Sequence, residues 1–474
     1  MAFKEYADYD GLGLAGLVAK GDVSPAELVE AAIARIERHN ETLNAVVHKA
    51  YDEARATAAA TLPDGPFRGV PFLIKDLGAQ VQGWPRTSGS HFAQVPSDDA
   101  DSELVRRYRA SGVVLVGKSN TPEFGIPGVT NSDRLGACRN PWNPDHISGG
   151  SSGGAASATA AGIVPLAHAS DGLGSIRIPA ACCGLVGMKI TRDRTPICEV
   201  SDGGLGFSVH HVVSRTVRDS AAMLDATGHA QVGDPFQAPA KDGPYLAEID
   251  RSPGKLRIAW SLETPNGREI DPEMVAAMAR TVDALKHLGH EVFEQGLPID
   301  YRTLYRAQSL ASASNFSANI LRWIERLGRE PGDNELGPLA RRAYEAGKRI
   351  TGQQAFWGFQ QLRIINRQIL TAYEAFDVYL QPTMSTPPPR VDWLDPALDP
   401  KEFDKRQSAT YATTPPANFT GQPSLSLPLW QSQSGLPIGM MFTARFADEA
   451  TLYRLAGQLE KELPWAARKP AIWN

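Results

Sequence analysis

Residues 149–189 read GGSSGGAASATAAGIVPLAHASDGLGSIRIPAACCGLVGMK, and the rest of the chain is interpreted from this stretch. Ser151 lies within one glycine-rich turn and Ser175 follows another, with small apolar residues between them. Glycine lets the backbone adopt positive φ or approach a ligand closely, so these turns predict exposed N–H groups beside a hydroxyl. A linker would be polar on both sides, whereas alanine, isoleucine and valine flank these serines. We therefore interpret the stretch as a functional site.

The composition is that of an ordinary globular protein, with 42% hydrophobic and 21% charged residues in a chain of 474. A net charge of −5 without a basic tract offers no attraction for nucleic acid or for an anionic membrane. The N-terminus lacks a signal-peptide pattern, and the longest apolar run, residues 155–169, is short and broken by Pro165. We expect a cytoplasmic protein without nucleic-acid or membrane partners.

The four cysteines and ten histidines form no disulfide or metal-binding pattern. Cys182 and Cys183 are adjacent in an apolar run, where cysteine packs as a small hydrophobic residue. His287 and His290 span the end of a predicted helix and the start of a strand, which is a poor geometry for sharing a metal ion. The sequence therefore predicts neither a metal nor an organic cofactor.

Segments typical of strands and helices alternate along the chain, for example a strand over 256–261 and an amphipathic helix over 272–288. Residues 301–376 are predicted to be largely helical. We expect the aromatic residues of this region to be mostly core, since large apolar groups are mostly buried: Phe316, Trp323, Phe356, Trp357 and Phe359. The pattern predicts an α/β protein with one mixed sheet covered by helices on both faces.

Two familiar motifs are matched only in part. Residues 112–119 fit the pattern of a phosphate-binding loop, but their Val-Val-Leu-Val segment favours a strand, so we reject nucleotide binding there. Residues 149–153 fit the G-x-S-x-G nucleophile elbow, which should follow a buried strand. Residues 143–148 instead predict a polar turn, and the elbow would also need a histidine and an acid nearby.

Lys75 ends an apolar strand predicted over residues 69–76. It is either a surface residue whose amine reaches water or a functional amine whose pKa is lowered by burial. The strand alone favours the surface interpretation, because strand ends are often exposed. A serine hydrolase can nevertheless use a buried, neutral lysine as its base. The N–H groups of Gly172, Leu173 and Gly174 before Ser175 are then suited to stabilising an oxyanion.

These motifs resemble those of the amidase signature family, whose Ser–cis-Ser–Lys hydrolases carry G-G-S-S-G-G and, about 24 residues later, G-S-[IV]-R-x-P. Here the spacing from Ser151 to Ser175 is 175 − 151 = 24 residues. Other segments also resemble the family, and together they extend the likeness over nearly the whole chain: 69–76, 117–125, 139–143 and 421–423. The resemblance implies a single amidase domain over residues 1–474, with the Ser–Ser–Lys core at about 60–230 and a helical substrate-pocket region at about 301–376.

By this resemblance Ser175 is the nucleophile, Ser151 the bridging serine beside a cis peptide bond, and Lys75 the base. The resemblance also implies a backbone oxyanion hole and a group of supporting side chains. The oxyanion donors would be Gly172, Leu173, Gly174 and Ser175, and the supports Ser152, Asp171 and Arg177. Many members have two glycines before the nucleophile, and the first is Leu173 here. A side chain at that position would narrow the acyl pocket or alter the loop.

Residues 463–470 look most like those of stand-alone bacterial amidases of the nylon-oligomer, aryl-acylamidase and urethanase type. That likeness implies a monomer or homodimer acting on a small, rather apolar amide, anilide or carbamate, with esters as a further class. Three segments are candidate pocket walls, although ordinary packing explains each equally well: Leu173, residues 200–207 and the helices of 301–376.

Two alternatives stay open within the same family. One is the A subunit of a glutamine-dependent amidotransferase complex, in which glutamine usually stands where this chain has Ile178. The other is a catalytically silent binding protein on the same scaffold. Ile178 disfavours the first alternative, and the intact set of Lys75, Ser151 and Ser175 disfavours the second.

Overall fold

The computed structural model describes residues 3–197, 206–264 and 267–473. Its strands, numbered along the chain, are β1 (Val46–Lys49), β2 (Pro71–Lys75), β3 (Val114–Ser119), β4 (Arg139–Asn140), β5 (Asn143–Ile147), β6 (Leu166–Asp171), β7 (Val186–Lys189), β8 (Val209–Ser214), β9 (Arg257–Trp260), β10 (Glu291–Glu294), β11 (Val378–Pro382), β12 (Ser424–Gln431) and β13 (Pro437–Ala444).

The longer helices, numbered in the same way, are α1 (Gly11–Lys20), α2 (Pro25–Leu43), α3 (Tyr51–Ala59), α4 (Glu103–Ala110), α5 (Gly153–Ala160), α6 (Arg177–Cys183), α7 (Val217–Thr227), α8 (Tyr245–Glu248), α9 (Pro272–His287), α10 (Tyr301–Leu327), α11 (Pro338–Arg349), α12 (Gly352–Ala372), α13 (Pro400–Thr410), α14 (Pro415–Thr420) and α15 (Glu449–Glu462). Helix α2 starts with the capping box of Ser24 and Glu27, which satisfies two backbone N–H groups of its first turn.

The main sheet has eight strands in the order β10-β9-β11-β13-β12-β7-β8-β6. Strands β10, β9 and β11 pair in parallel, and the remaining neighbours are antiparallel. Along β12, Leu425 and Leu427 join the apolar cluster that includes α7, α9 and α15, while α5 and α6 contact the sheet from the opposite face. Helices therefore cover both faces, which confirms the predicted α/β architecture with a large mixed sheet.

A second, three-stranded sheet has the order β1-β3-β2 and was not predicted. Strand β2 lies beside edge strand β6 of the main sheet. The backbone N–H of Lys75 donates to Nδ1 of His168 at 3.1 Å. A side chain therefore takes a position at which a continuous sheet would place a carbonyl, and the two sheets stay separate among the described residues.

Two local expectations were wrong. Residues 143–147 form strand β5 instead of a polar turn. The strand pairs with β4 in a short antiparallel ribbon, in which Asn143 lies opposite Asn140. Phe356 is 72% exposed instead of core, because it lies on the solvent side of α12, away from the buried Leu362 and Ile365. Cys182 and Cys183 are buried free thiols, as predicted. Within the described part of the chain, no helix is long and apolar enough to span a bilayer.

Candidate active site

Lys75 is the last residue of strand β2 and is completely buried. Its Nζ lies 2.7 Å from Oγ of Ser151, and it lies 3.0 Å from the hydroxyls of both Ser152 and Ser170. The strand is sandwiched in the core, so its end does not reach solvent. The surface interpretation of Lys75 is therefore wrong.

The electrostatic environment of Lys75 favours the neutral amine. Burial lowers its pKa to about 7, although the negative charge of Asp171 acts in the opposite direction. Hydroxyl groups can both donate and accept, so the three serines keep their hydrogen bonds to Nζ in either protonation state. The site can therefore take up and release a proton near neutral pH.

The first glycine-rich turn places Ser151 beside this amine. The peptide bond between Gly150 and Ser151 is cis. A Cβ on Gly150 would lie 2.5 Å from the Val129 nitrogen, and one on Gly154 would lie 2.2 Å from the Asn120 nitrogen. Only glycine fits these close approaches of backbone to backbone. Gly150 and Gly154 therefore allow the turn that carries Ser151 to pack closely against neighbouring backbone.

The second turn, between β6 and α6, is built around the buried carboxylate of Asp171. This carboxylate accepts hydrogen bonds from the backbone N–H groups of Gly174, Ile176 and Arg177, and it forms an ion pair with the Arg177 guanidinium at 2.9 Å. Burial acts to raise the pKa of Asp171, but the Arg177 charge and the hydrogen bonds outweigh it and hold this pKa well below its usual range. The turn that carries Ser175 is therefore fixed by a permanent charge.

Helix α14 supports the same turn from outside. Asn418 donates to both the carboxylate and the backbone carbonyl of Asp171, at 2.9 and 3.0 Å, and accepts from Arg177 at 2.6 Å. Thr414 donates to the carbonyl of Leu173 at 2.7 Å. Asp171 and Arg177 thus form a buried hydrogen-bonded group with Asn418 beneath this turn, and nothing in the sequence indicated Asn418 or Thr414.

Ser175 is partly exposed at this turn, and its hydroxyl forms no hydrogen bond to another described residue. Of the four N–H groups expected to form an oxyanion hole, that of Gly174 donates to Asp171 at 2.7 Å. It is therefore directed into the turn, which corrects its place in the predicted set. The N–H groups of Gly172, Leu173 and Ser175 have no such bond within the described part of the chain.

Sequence reasoning missed His168 and Ser170, which both face Lys75 from β6. Successive side chains of a strand alternate between faces, so residues two apart share one face. Polar residues at this spacing in an otherwise apolar strand were the available signal. It could not show which buried group they meet, because Lys75 is about a hundred residues earlier in the chain.

The remaining motif interpretations are resolved by the same contacts. Residues 114–119 form strand β3, and the Lys118 amine lies 3.4 Å from Asp76 instead of facing a phosphate cradle. Oγ of Ser151 meets Lys75, and no histidine within the described ranges bonds to it, so the elbow interpretation lacks its base. Of the proposed pocket loop at 200–207, residues 200–205 lie outside the described residues.

Comparison with known proteins places the chain in a family. The Amidase family model matches residues 27–453. The 6-aminohexanoate-cyclic-dimer hydrolase of Paenarthrobacter ureafaciens is 36% identical over 481 residues, covering 98% of this chain and 97% of that protein. The chain therefore belongs to the Amidase family, as its motifs predicted, and is a hydrolase of amide C–N bonds.

Solved structures agree with this assignment. A 6-aminohexanoate cyclic dimer hydrolase complexed with substrate matches with a TM-score of 0.91 at 34% identity, covering 99% of this chain and 100% of that one. A bacterial aryl acylamidase of the amidase signature family matches with a TM-score of 0.88 at 26% identity, covering 98% of each chain. The predicted fold is therefore that of known amidase signature enzymes.

Proposed function

We propose that this chain hydrolyses small, rather apolar amides through an acyl-enzyme on Ser175, with Ser151 as the bridging serine and Lys75 as the base. The observation that carries the proposal is the fully buried Lys75 amine, 2.7 Å from Ser151 Oγ and with a pKa lowered to about 7. A neutral amine at this position can accept a proton that a charged lysine could not.

In the proposed reaction, Ser175 Oγ attacks the carbonyl carbon while its proton passes to Ser151, which in turn protonates Lys75. The oxygen of the tetrahedral intermediate is stabilised by the N–H groups of Gly172, Leu173 and Ser175. Lys75 then returns its proton through Ser151 to the leaving amine as the C–N bond breaks. Water hydrolyses the acyl-enzyme by the same route and regenerates Ser175.

Two apolar clusters beside the reacting serines support an apolar substrate. Leu173, two residues before Ser175, packs against an apolar cluster that also contains residues of α10 and α12. Phe124 stacks edge to face on Phe316 of α10, with 5.4 Å between ring centroids, and is adjacent to Gly125, whose added Cβ would lie 3.0 Å from Ser151 Oγ. Together with the names of the relatives, these walls favour linear or cyclic amides and anilides. Carbamates and esters react by the same acyl chemistry.

Labelling of the purified protein with a fluorophosphonate tests the proposal, because this probe reacts with activated serines. Mass spectrometry of the adduct identifies the modified residue. We expect label on Ser175, no label in Ser175→Ala, and strongly reduced label in Lys75→Ala. Lys405→Ala, which removes an exposed lysine, serves as the control and should label like the parent protein.

Other labelling outcomes point to specific alternatives. Label on Ser151 instead of Ser175 would contradict the assignment and return attention to a nucleophile elbow. A folded protein that takes no label would favour a partner-dependent amidotransferase subunit or a binding protein. If labelling succeeds, a screen of anilides, cyclic amides and carbamates identifies the class of substrate.

A further inference from the structure

Strand β6 contacts Lys75 at both its backbone N–H and its side-chain amine. The Ser170 hydroxyl lies 3.0 Å from Nζ, and the ring nitrogen Nδ1 of His168, two residues earlier, accepts the Lys75 backbone N–H at 3.1 Å. The imidazole is completely buried, so this N–H has no access to water as a substitute acceptor. A buried N–H left without an acceptor is destabilising, so His168 constrains the position of the strand end.

A second histidine, His210, forms a hydrogen bond with His168. His168 Nε2 and His210 Nδ1 are 2.9 Å apart, and the two ring planes are inclined by only 12° with 5.2 Å between the ring centroids, so the rings lie edge to edge. Because Nδ1 of His168 accepts from Lys75, its proton must lie on Nε2, which donates to His210. Gly78 closes over His210, since a Cβ there would lie 2.5 Å from the ring. The hydrogen bonds thus run in one direction, from the Lys75 backbone N–H through the His168 ring to His210.

The charged and titratable groups around His168 keep this arrangement neutral. Burial first, then His210, Lys75, His211 and Lys118, hold the pKa of His168 well below its usual range. Burial, with a further contribution from Lys75, lowers the pKa of His210 to about 3. The ring of Tyr108 packs 5.7 Å from that of His168. Both imidazoles are therefore neutral at neutral pH, and the hydrogen bonds that join Lys75, His168 and His210 keep their direction there.

We propose that His168, held by His210, is a positioning residue that aims the Lys75 amine at Ser151. The inference rests on the proposed function, in which Lys75 is the base. Without the imidazole acceptor, the end of β2 would shift to satisfy the Lys75 N–H, and Nζ would move away from the serine hydroxyls. Water entering the space would also stabilise the charged ammonium.

The pH dependence of fluorophosphonate labelling at Ser175 tests this role. His168→Leu removes the acceptor, whereas His168→Asn retains an acceptor at the position of Nδ1. We expect the pH at which labelling is half-maximal to rise in His168→Leu from about 7 towards the usual pKa range of lysine. Labelling at pH 7 should slow about tenfold for each pH unit by which this midpoint rises, and it should recover at pH 10. His168→Asn should retain most of the parent profile.

A matched control for His168→Leu is available in strand β8, which pairs with β6. His211, next to His210, is also buried, but its ring bonds to Ser220 at 3.0 Å and makes no hydrogen bond to Lys75. His211→Leu should leave the labelling midpoint unchanged. An unshifted midpoint in His168→Leu, or a loss that is equal at every pH, would overturn the proposal, because either result would show that the pKa of the Lys75 amine does not depend on His168.

A crystal structure of His168→Leu decides the question independently of activity. We expect the separation of Lys75 Nζ and Ser151 Oγ to exceed about 3.5 Å, beyond hydrogen-bond range. A separation that stays near 2.7 Å would refute the positioning role. If the parent protein takes no label at all, the proposed function fails, and this distance still tests whether His168 positions the lysine.

Discussion

Three buried lysines in this chain show why Lys75 is suited to proton transfer. The Lys118 amine is paired with the Asp76 carboxylate, and the Lys189 amine donates to the carbonyls of Ile190 and Gln422. Those partners only accept, so the two amines are arranged as donors. Lys75 instead meets three hydroxyls, which can reverse their hydrogen bonds when the amine loses its proton.

Replacement of Lys75 by methionine measures how much burial of this amine contributes to the free energy of unfolding. The pKa of Lys75 falls from 10.5 in the unfolded chain to about 7 in the folded protein, so between these values the unfolded state binds more protons. The stability of the parent protein relative to Lys75→Met should therefore rise by ~3 kcal/mol from pH 7 to pH 9.5. Urea unfolding at both pH values measures the change, and a difference that does not vary with pH would contradict the lowered pKa.

At the scale of single residues, the sequence was sufficient where a motif is local and long. The glycine-rich turns singled out Ser151 and Ser175, and the 24-residue spacing paired them only through the family resemblance. Lys75 was assigned by family likeness, since its strand alone favoured an exposed amine. His168 and Asn418 were not found, because their importance depends on contacts between segments far apart in the chain.

Two turns at helix N-termini organise the site at the scale of elements. One leads from β5 into α5 and carries Ser151, and the other leads from β6 into α6 and carries Ser175. The first relies on glycines that backbone atoms contact closely, and the second on the charge of Asp171. The two turns therefore differ in how they should respond to substitution.

Gly174→Ala tests the rigidity of the second turn. Gly174 has φ of 131°, and a Cβ there would lie 2.4 Å from Thr414 Oγ1 and 2.7 Å from Ile178 Cδ1. We expect unfolding to be easier by about 2–4 kcal/mol, from backbone strain and overpacking. Labelling of Ser175 should slow by about 100-fold, since small displacements of a reacting atom are costly.

The neighbouring Gly172 gives the matched control for stability. The nearest atom to a Cβ on Gly172 is Ser208 Oγ at 3.8 Å, which is an ordinary contact distance. Gly172→Ala should therefore unfold within about 0.5 kcal/mol of the parent protein. Equal destabilisation by both substitutions would show that close packing at Gly174 is not the cause.

The order of strands and helices was predictable from apolar periodicity, but the division into sheets was not. Alternation of strands and helices indicated a mixed sheet covered on both faces, and the eight-stranded sheet agrees. Where β2 lies beside β6, the Lys75 N–H donates to the buried His168 side chain instead of to a backbone carbonyl of β6. Periodicity reports which face of a strand is buried and carries no information on which strand lies beside it.

At the scale of the whole molecule, the described ends of the chain pack together. Trp473 is buried in the cluster that contains Tyr6 and Ala7. Three cations surround its ring, with Lys469 at 4.5 Å, Arg215 at 5.2 Å and Arg35 at 5.6 Å from the centroid. Such contacts add to the hydrophobic stabilisation of a buried tryptophan.

Trp473→Ala should therefore weaken the fold without changing the chemistry. Loss of a buried tryptophan costs about 3–5 kcal/mol, which for a chain of this length lowers the unfolding temperature by about 3–5 °C. Labelling of Ser175 at 25 °C should stay at the parent rate, because the described contacts of Trp473 involve no residue of the candidate site. Trp393→Ala, at a 38% exposed tryptophan stacked on Arg406, is the control and should unfold near the parent temperature. Slower labelling in folded Trp473→Ala would instead mean that the joined ends of the chain help to set the geometry of the site.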